Sequence, residues 1–211
     1  MAFHVINTQA SMAEDLASIQ KACFPTMADS ELFYPQHYRA HIERFPEGQL
    51  AVVTDEGKAV ACSTDFLTPF DFDNIQHRFI DMVGNSWLTN HDPEGDWLYG
   101  ADISVHPDYR RQGLASMLYQ ARRDLVQRLG LRGHIAGAMI KGYSAHKASM
   151  NAAEYIDAVI AGTLIDPVLS VQLRQGFKVE GILYNYVEAS SCDNTAALIV
   201  WRNPDKEQPH G

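Results

Sequence analysis

The sequence predicts an α/β (α+β) fold, a mixed sheet of about seven strands flanked by helices. Three observations carry this. Short β-branched or apolar runs bounded by Gly, Pro, Asn and Asp recur along the chain, and segments with apolar residues at helical spacing lie between them. Two of those runs flank the turn Asp55-Glu56-Gly57-Lys58 and read as an antiparallel pair. A third run leads through a short loop into the clearest amphipathic helix of the chain, so strands and helices alternate.

The elements follow in order. Phe3–Asn7 reads as a strand. Over residues 12–23, Leu16, Ile19, Ala22 and Cys23 recur at helical spacing, and Pro25 stops the helix. Residues 34–45 form a second helical segment, ended by Pro46-Glu47-Gly48. Gln49–Thr54 and residues 59–66 are the hairpin strands. Residues 68–96 mix turn formers with Phe70, Phe72, Phe79, Met82, Trp87 and Leu88. A bare linker carries fewer aromatics, so this excursion is expected to fold, with a short helix near residues 76–83. Trp97–Val105 is a strand broken by His106-Pro107-Asp108. Residues 112–129 form a helix with Leu114, Met117, Leu118, Ala121, Leu125 and Leu129 in one stripe and Gly130 as its C-terminal cap. Residues 132–140, 177–187 and Ala196–Arg202 read as strands, and residues 149–161 and 166–174 as helices.

The 211 residues suit one domain with a sizeable core, spanning residues 1–211. A net charge of −9 argues against nucleic acid as a partner, because phosphate binding needs a basic surface. The same charge fits a cationic substrate only weakly, and plain solubility is the simpler account of it. Cys23, Cys62 and Cys192 have no spacing that suggests a disulfide framework or a zinc site, so no metal is expected. Cys23 and Cys62 read as small buried hydrophobes. The N-terminal run MAFHVINTQA lacks a signal-peptide pattern, and no run is long and apolar enough to span a membrane. A cytoplasmic protein with no membrane partner is expected.

The chemistry is expected in the loop Arg110-Arg111-Gln112-Gly113-Leu114-Ala115. It opens a helix, where the first N–H groups are unpaired and the dipole favours an anion. Gly113 lets a phosphate approach the backbone, Ala115 is small for the same reason, and Arg110 and Arg111 add charged donors. The loop fits neither the dinucleotide fingerprint G-x-G-x-x-G nor the phosphate loop G-x-x-x-x-G-K-[ST].

The run ISVHPDYRRQGLASMLYQAR, residues 103–122, resembles the acetyl-CoA-binding motif of the GNAT acetyltransferases, Arg/Gln-x-x-Gly-x-Gly/Ala preceded by V-x-P. Arg110, Gly113 and Ala115 match that pattern, with Val105 and Pro107 upstream. The antiparallel strand pair before it and the helix ending in Gly176-Phe177 after it fit the same family. The last part, DPVLSVQLRQGFKVEGILYNYVEA…ALIVWRNP, is similar to a branch in which a GNAT domain is joined to carbon–nitrogen hydrolase (nitrilase-like) domains.

The resemblance implies an N-acetyltransferase that moves an acetyl group from acetyl-CoA directly to a small or peptide amine, with no enzyme nucleophile. It assigns Ile103, Ser104 and Val105 to the pantetheine arm. Arg110, Arg111, Gln112, Gly113, Leu114, Ala115 and Ser116 fall to the pyrophosphate. A general base must take the proton of an alkylammonium, and Asp102 is the first candidate, ahead of Glu180 and Asp65. The family often places a general-acid tyrosine four residues before Gly-Phe, where this chain has Gln172. Tyr184 is then the candidate acid, with Tyr186 and Tyr143 behind it. His134 and His146 read as exposed or hydrogen-bonded histidines. Gln172 also leaves open a non-catalytic acyl-CoA-binding module. Homodimers are common in the family.

Overall fold

A computed structural model of the chain describes residues 2–206. The ends of the expected domain, residue 1 and residues 207–211, lie outside the described residues. One seven-stranded sheet has the order β1-β2-β3-β4-β5-β7-β6. The strands are β1 (Phe3–Asn7), β2 (Gln49–Thr54), β3 (Ala59–Thr68), β4 (Trp97–Val105), β5 (Gly133–Met139), β6 (Lys178–Leu183) and β7 (Ala196–Arg202). The helices are α1 (Ala13–Cys23), α2 (Pro35–Arg44), the single turn α3 (Phe79–Met82), α4 (Leu114–Arg128), α5 (Ala152–Ile160) and α6 (Leu169–Arg174).

Alternation along the strands divides the core between the two faces. Leu50, Val52 and Val60 pack with Leu114 and Leu118 of α4. The residues between them, Ala51, Val53 and Cys62, join Leu16, Ile19, Phe33 and Tyr38 from the α1–α2 region. The 68–96 excursion folds back over that second face. His77 Nε2 lies 2.7 Å from the Tyr99 hydroxyl, and Phe79 stacks on Phe33 at 5.9 Å between ring centroids.

Ends of elements differ from the sequence reading for local reasons. The helix expected from residue 112 begins at Leu114, because Gly113 adopts φ 83°, left-handed backbone that no helix contains. The helix expected from residue 149 begins at Ala152. Asn151 caps it, accepting from the Glu154 N–H at 3.0 Å while Glu154 accepts from the Asn151 N–H at 2.8 Å. The helix expected from residue 166 begins at Leu169, since Asp166 accepts from the Val168 and Leu169 N–H groups at 2.8 Å. The strand expected over residues 177–187 ends at Leu183. Asn185 turns left-handed at φ 52°, and the Tyr186 N–H donates to the Asn194 carbonyl instead of to a ladder.

The feature that positions the site is a wedge between β4 and β5. These strands are parallel and pair only at Trp97↔Gly133, Leu98↔His134 and Tyr99↔Ile135. Past Tyr99, β4 stays with β3 as far as Ala61↔Val105, and β5 stays with β7 as far as Met139↔Ala196. The sheet therefore opens like a V. A bulge lies where it opens: Thr64 faces Asp102 but Asp65 faces Gly100, leaving Ala101 as the extra residue. A bulge bends and twists the strand that carries it.

Arg122 of α4 braces this bulge. Its Nε donates to Asp65 Oδ2 at 2.9 Å, its Nη2 donates to the Asp102 carbonyl, and both side chains are buried. Burial still pushes the Asp65 carboxyl up to about 6, against the pull of Arg122. Breaking one side of a buried pair leaves an uncompensated charge. Arg122→Met is therefore expected to lower the unfolding free energy by about 3–5 kcal/mol in urea denaturation. The double variant Asp65→Leu/Arg122→Met should recover most of that loss. A single variant as stable as the parent would show that the pair does not hold α4 to the sheet.

Candidate active site

The wedge and the 110–116 loop meet in one cavity of about 590 Å³. At the loop, two residues adopt left-handed backbone: Gly113 at φ 83° and, unexpectedly for a residue with a side chain, Arg111 at φ 61°. Such strain concentrates where a loop is held for function. The first helical bond of α4 runs from the Met117 N–H to the Gly113 carbonyl at 3.1 Å. The N–H groups of Leu114, Ala115 and Ser116 are thus left without helical partners. Among the described residues a Cβ added at Gly113 would meet no atom within 4 Å, and Gly113 lines the same cavity as Leu114, Ala115 and Ser116. Gln175, following α6, donates to Ser116 Oγ at 2.9 Å and sets α6 beside the loop.

From the loop the cavity runs along β4, past Ala101, Ile103 and Val105, to Asp102 on the α1 side of the sheet. Asp102 accepts from Ser104 Oγ at 3.0 Å, and Cys62 Sγ lies 3.8 Å away. Burial pushes its carboxyl up to about 6, against the Ser104 hydrogen bond and the charge of Arg122. Gly100, Tyr119, Arg122, His134 and Gln172 line the α4 side. Gln172 Oε1 and His134 Nε2 are buried there without a hydrogen-bond partner among the described residues.

A family model described as "Acetyltransferase (GNAT) family" matches residues 13–139. The chain is also 32% identical, over 90% of its length and 84% of the other's, to a Bacillus subtilis (strain 168) protein described as "Uncharacterized N-acetyltransferase YkwB". The chain belongs to the GNAT acetyltransferase family. It is 36% identical over 94% of its length to a second protein of that organism, "Probable hydrolase YhcX", and spans 38% of that relative. Among solved structures, the loading GNATL domain of CurA from Lyngbya majuscula superposes with a TM-score of 0.81 at 18% identity, covering 98% of this chain and 100% of that one. A GNAT-like decarboxylase, GphF, in complex with isobutyryl-CoA superposes with a TM-score of 0.77 at 18% identity, covering 95% and 99%. Solved neighbours of this fold thus bind CoA or an acyl-CoA.

In this GNAT protein eight of the ten residues expected to hold CoA line the cavity: Ile103, Val105, Arg110, Arg111, Gly113, Leu114, Ala115 and Ser116. Ser104 does not, because its hydroxyl turns to Asp102, and Gln112 stands outside the lining. The Arg110 side chain folds back along β4. Its Nε donates to the Val105 carbonyl at 3.3 Å and its Nη2 lies 3.7 Å from Cys23 Sγ. Cys23 and Cys62 are both buried, and the Cys23 thiol donates to the Val105 carbonyl at 3.1 Å.

Several expectations are corrected. Tyr184 is 56% exposed and does not line the cavity; the left-handed turn at Asn185 brings Tyr186 there instead. The Tyr186 hydroxyl lies 3.0 Å from that of Tyr99, and burial raises its pKa. Tyr143 packs on Tyr155, away from the cavity. His134 is neither exposed nor hydrogen-bonded through Nε2: it is 1% exposed against Phe177, and burial holds it well below the usual histidine range. Glu180 pairs with Arg202 at 2.6 Å on the outer strand, and Asp65 is committed to Arg122.

Several cavity residues went unread in the sequence, Gln20 and Lys141 among them. Gln20, on α1, reaches the cavity and accepts from the Phe33 N–H at 2.6 Å. Lys141 lies just past β5, in a turn where its N–H donates to the Met139 carbonyl at 3.0 Å, so strand alternation gives no signal for it.

Asp102 also leaves a stability signature. A carboxyl with a raised folded pKa binds its proton more tightly in the fold. Its stabilising share is complete below the ordinary value of 3.8 and is lost as pH rises through about 6. The unfolding free energy of Asp102→Asn, measured relative to the parent, should therefore increase between about pH 4 and 7. A pH-independent difference in urea denaturation would mean that Asp102 titrates alike in both states.

Proposed function

We propose that the protein transfers an acetyl group from acetyl-CoA directly to an amine. The observation that carries this reading is the continuity of one cavity from the unpaired amides of the 110–116 loop, through the β4–β5 wedge, to the buried carboxyl of Asp102. Acetyl-CoA supplies an activated acyl carbon. The amides of Leu114, Ala115 and Ser116 bind its pyrophosphate, helped by Arg111 and by Arg110 once it leaves the Val105 carbonyl. The β4 backbone from Ala101 to Val105 has no partner on its β5 side, and it pairs with the pantetheine arm as an added strand. A backbone N–H at Ile103 or Ser104 polarises the thioester carbonyl. Asp102 takes the proton of the attacking amine. As the C–S bond breaks, the Gln172 side-chain amide, in the place of the usual tyrosine, donates a hydrogen bond to the departing sulfur, and the second proton of the nitrogen passes to that sulfur, so that CoA leaves as the thiol.

Calorimetry with acetyl-CoA and thiol release against a panel of amines test the reading. Tight acetyl-CoA binding without CoA release from any amine would favour the second reading, a non-catalytic acyl-CoA-binding module. Gln172 is the residue that supports that alternative. We also read residues 1–211 as one cytoplasmic GNAT unit of the branch joined elsewhere to carbon–nitrogen hydrolase domains. The relative described as a probable hydrolase supports that placement.

A further inference from the structure

We propose that the acceptor amine carries a carboxylate and that Lys141 holds it. The inference rests on the acetyl-transfer reading of the cavity and names the acceptor class within it. The chain has a net charge of −9, yet the cavity has the opposite balance. Arg110, Arg111, Arg122, Arg174 and Lys141 line it, and Asp102 is the only carboxylate among the described residues that do.

Four of the five cations have an assignment. Arg122 is bound to Asp65 at 2.9 Å. Arg110 and Arg111 belong to the loop, and Arg174 ends α6, which Gln175 ties to Ser116 on the same side. That side is where the pyrophosphate binds. Lys141 comes from the β5 side of the wedge, and its Nζ shares Cys23 with Arg110: Lys141 holds the Cys23 carbonyl at 2.8 Å while Arg110 Nη2 lies 3.7 Å from the Cys23 sulfur. Its contacts with Cys23 and Phe24, at the end of α1, put it on the α1 side of the sheet, the side of Asp102.

Lys141 is half-buried with an incomplete set of partners. Its Nζ donates to the Cys23 carbonyl at 2.8 Å and lies 4.2 Å from the centroid of the Phe24 ring. It forms no ion pair among the described residues. An ammonium has three donors, and the carbonyl uses one. Burial pulls its pKa below the ordinary lysine value, as expected of a cation that lacks a counter-ion.

A plain alkylammonium entering this face would meet Lys141 as a like charge. An amino acid or short peptide resolves the conflict, because its ammonium goes to Asp102 and its carboxylate forms a charge-assisted hydrogen bond with Lys141.

The test uses the CoA-loaded protein and a panel of N-acetyl amino acids, each paired with its amide, titrated by calorimetry. At least one acid is expected to bind ~10-fold or more tightly than its amide. Lys141→Met should bring the two within ~2-fold of each other. Acids and amides that bind alike, no binding by any member, or a preference that survives Lys141→Met would overturn the inference. So would a Lys141→Met effect confined to the affinity for CoA itself. Thiol release with the free amino acids is read separately. Its absence, with the carboxylate preference intact, would sink acetyl transfer and leave the carboxylate site standing.

Discussion

Gly113→Trp is expected to raise the dissociation constant for acetyl-CoA by ~100-fold or more while the protein stays folded. Gly113 holds φ 83° and has no atom within 4 Å of where a Cβ would stand. A side chain there collides with nothing in the protein. Its cost to folding is the left-handed strain alone, roughly 1–2 kcal/mol. Its cost to binding is much larger, because the indole occupies the space in front of the Leu114, Ala115 and Ser116 amides. Those donors act at short range and only if the anion can reach them. Gly113→Ala separates the two effects: it carries the same strain but blocks only a methyl's volume, so its affinity should lie between those of the parent and Gly113→Trp. Calorimetry with acetyl-CoA, alongside thermal unfolding, reads both quantities. Unchanged affinity in the folded Gly113→Trp variant would remove the loop as the pyrophosphate site.

Asp102→Asn is expected to lower kcat by ~100-fold or more and to leave acetyl-CoA affinity within about twofold of the parent. An alkylammonium of pKa about 10.4 holds its proton at neutral pH, and an ordinary carboxylate is too weak a base to compete well for it. Burial raises the Asp102 carboxyl to about 6, which narrows that gap while keeping the group ionised at neutral pH. The sign of the pH dependence follows. kcat/KM should rise with pH through about 6 as the carboxyl loses its proton, and this limb should vanish in Asp102→Asn. Asparagine preserves the shape and can still accept from Ser104 Oγ, so folding and CoA binding are spared. A kcat unchanged at neutral pH would eliminate Asp102 as the base.

Much of the frame was legible in the residues. The β1, β2, β4 and β7 bounds coincide with those read from the sequence, and the loop before α4 was recognised from Gly113 and its flanks. The ends that moved did so where one side chain or one left-handed residue cut an element short, as at Asn151, Asp166 and Asn185. The site was legible in part. The loop residues and Asp102 could be named because their chemistry is tied to a local motif. Tyr184 was read as facing the cleft because an eleven-residue strand was assumed to run through it; the observed strand ends at Leu183.

The sequence by itself determined which segments are strands and helices, and that the loop around Gly113 opens α4 with free amides at its first turn. These depend on periodicity, caps and glycine, which act over a few neighbouring residues. Only the tertiary structure decided that Tyr186 replaces Tyr184 in the cavity, that His134 is buried, that Arg110 folds onto the Val105 carbonyl, and that Lys141 reaches the Cys23 carbonyl. Those outcomes depend on contacts between residues far apart in the chain, such as Tyr99 with Tyr186 and Cys23 with Lys141, and the β3–β4 register shows why such pairings stay hidden. Side chains alternate at every step of a strand, so the single extra residue at Ala101 decides which face each later side chain of β4 takes. No local pattern announces that insertion. It exists only once β3 has found its register against β4.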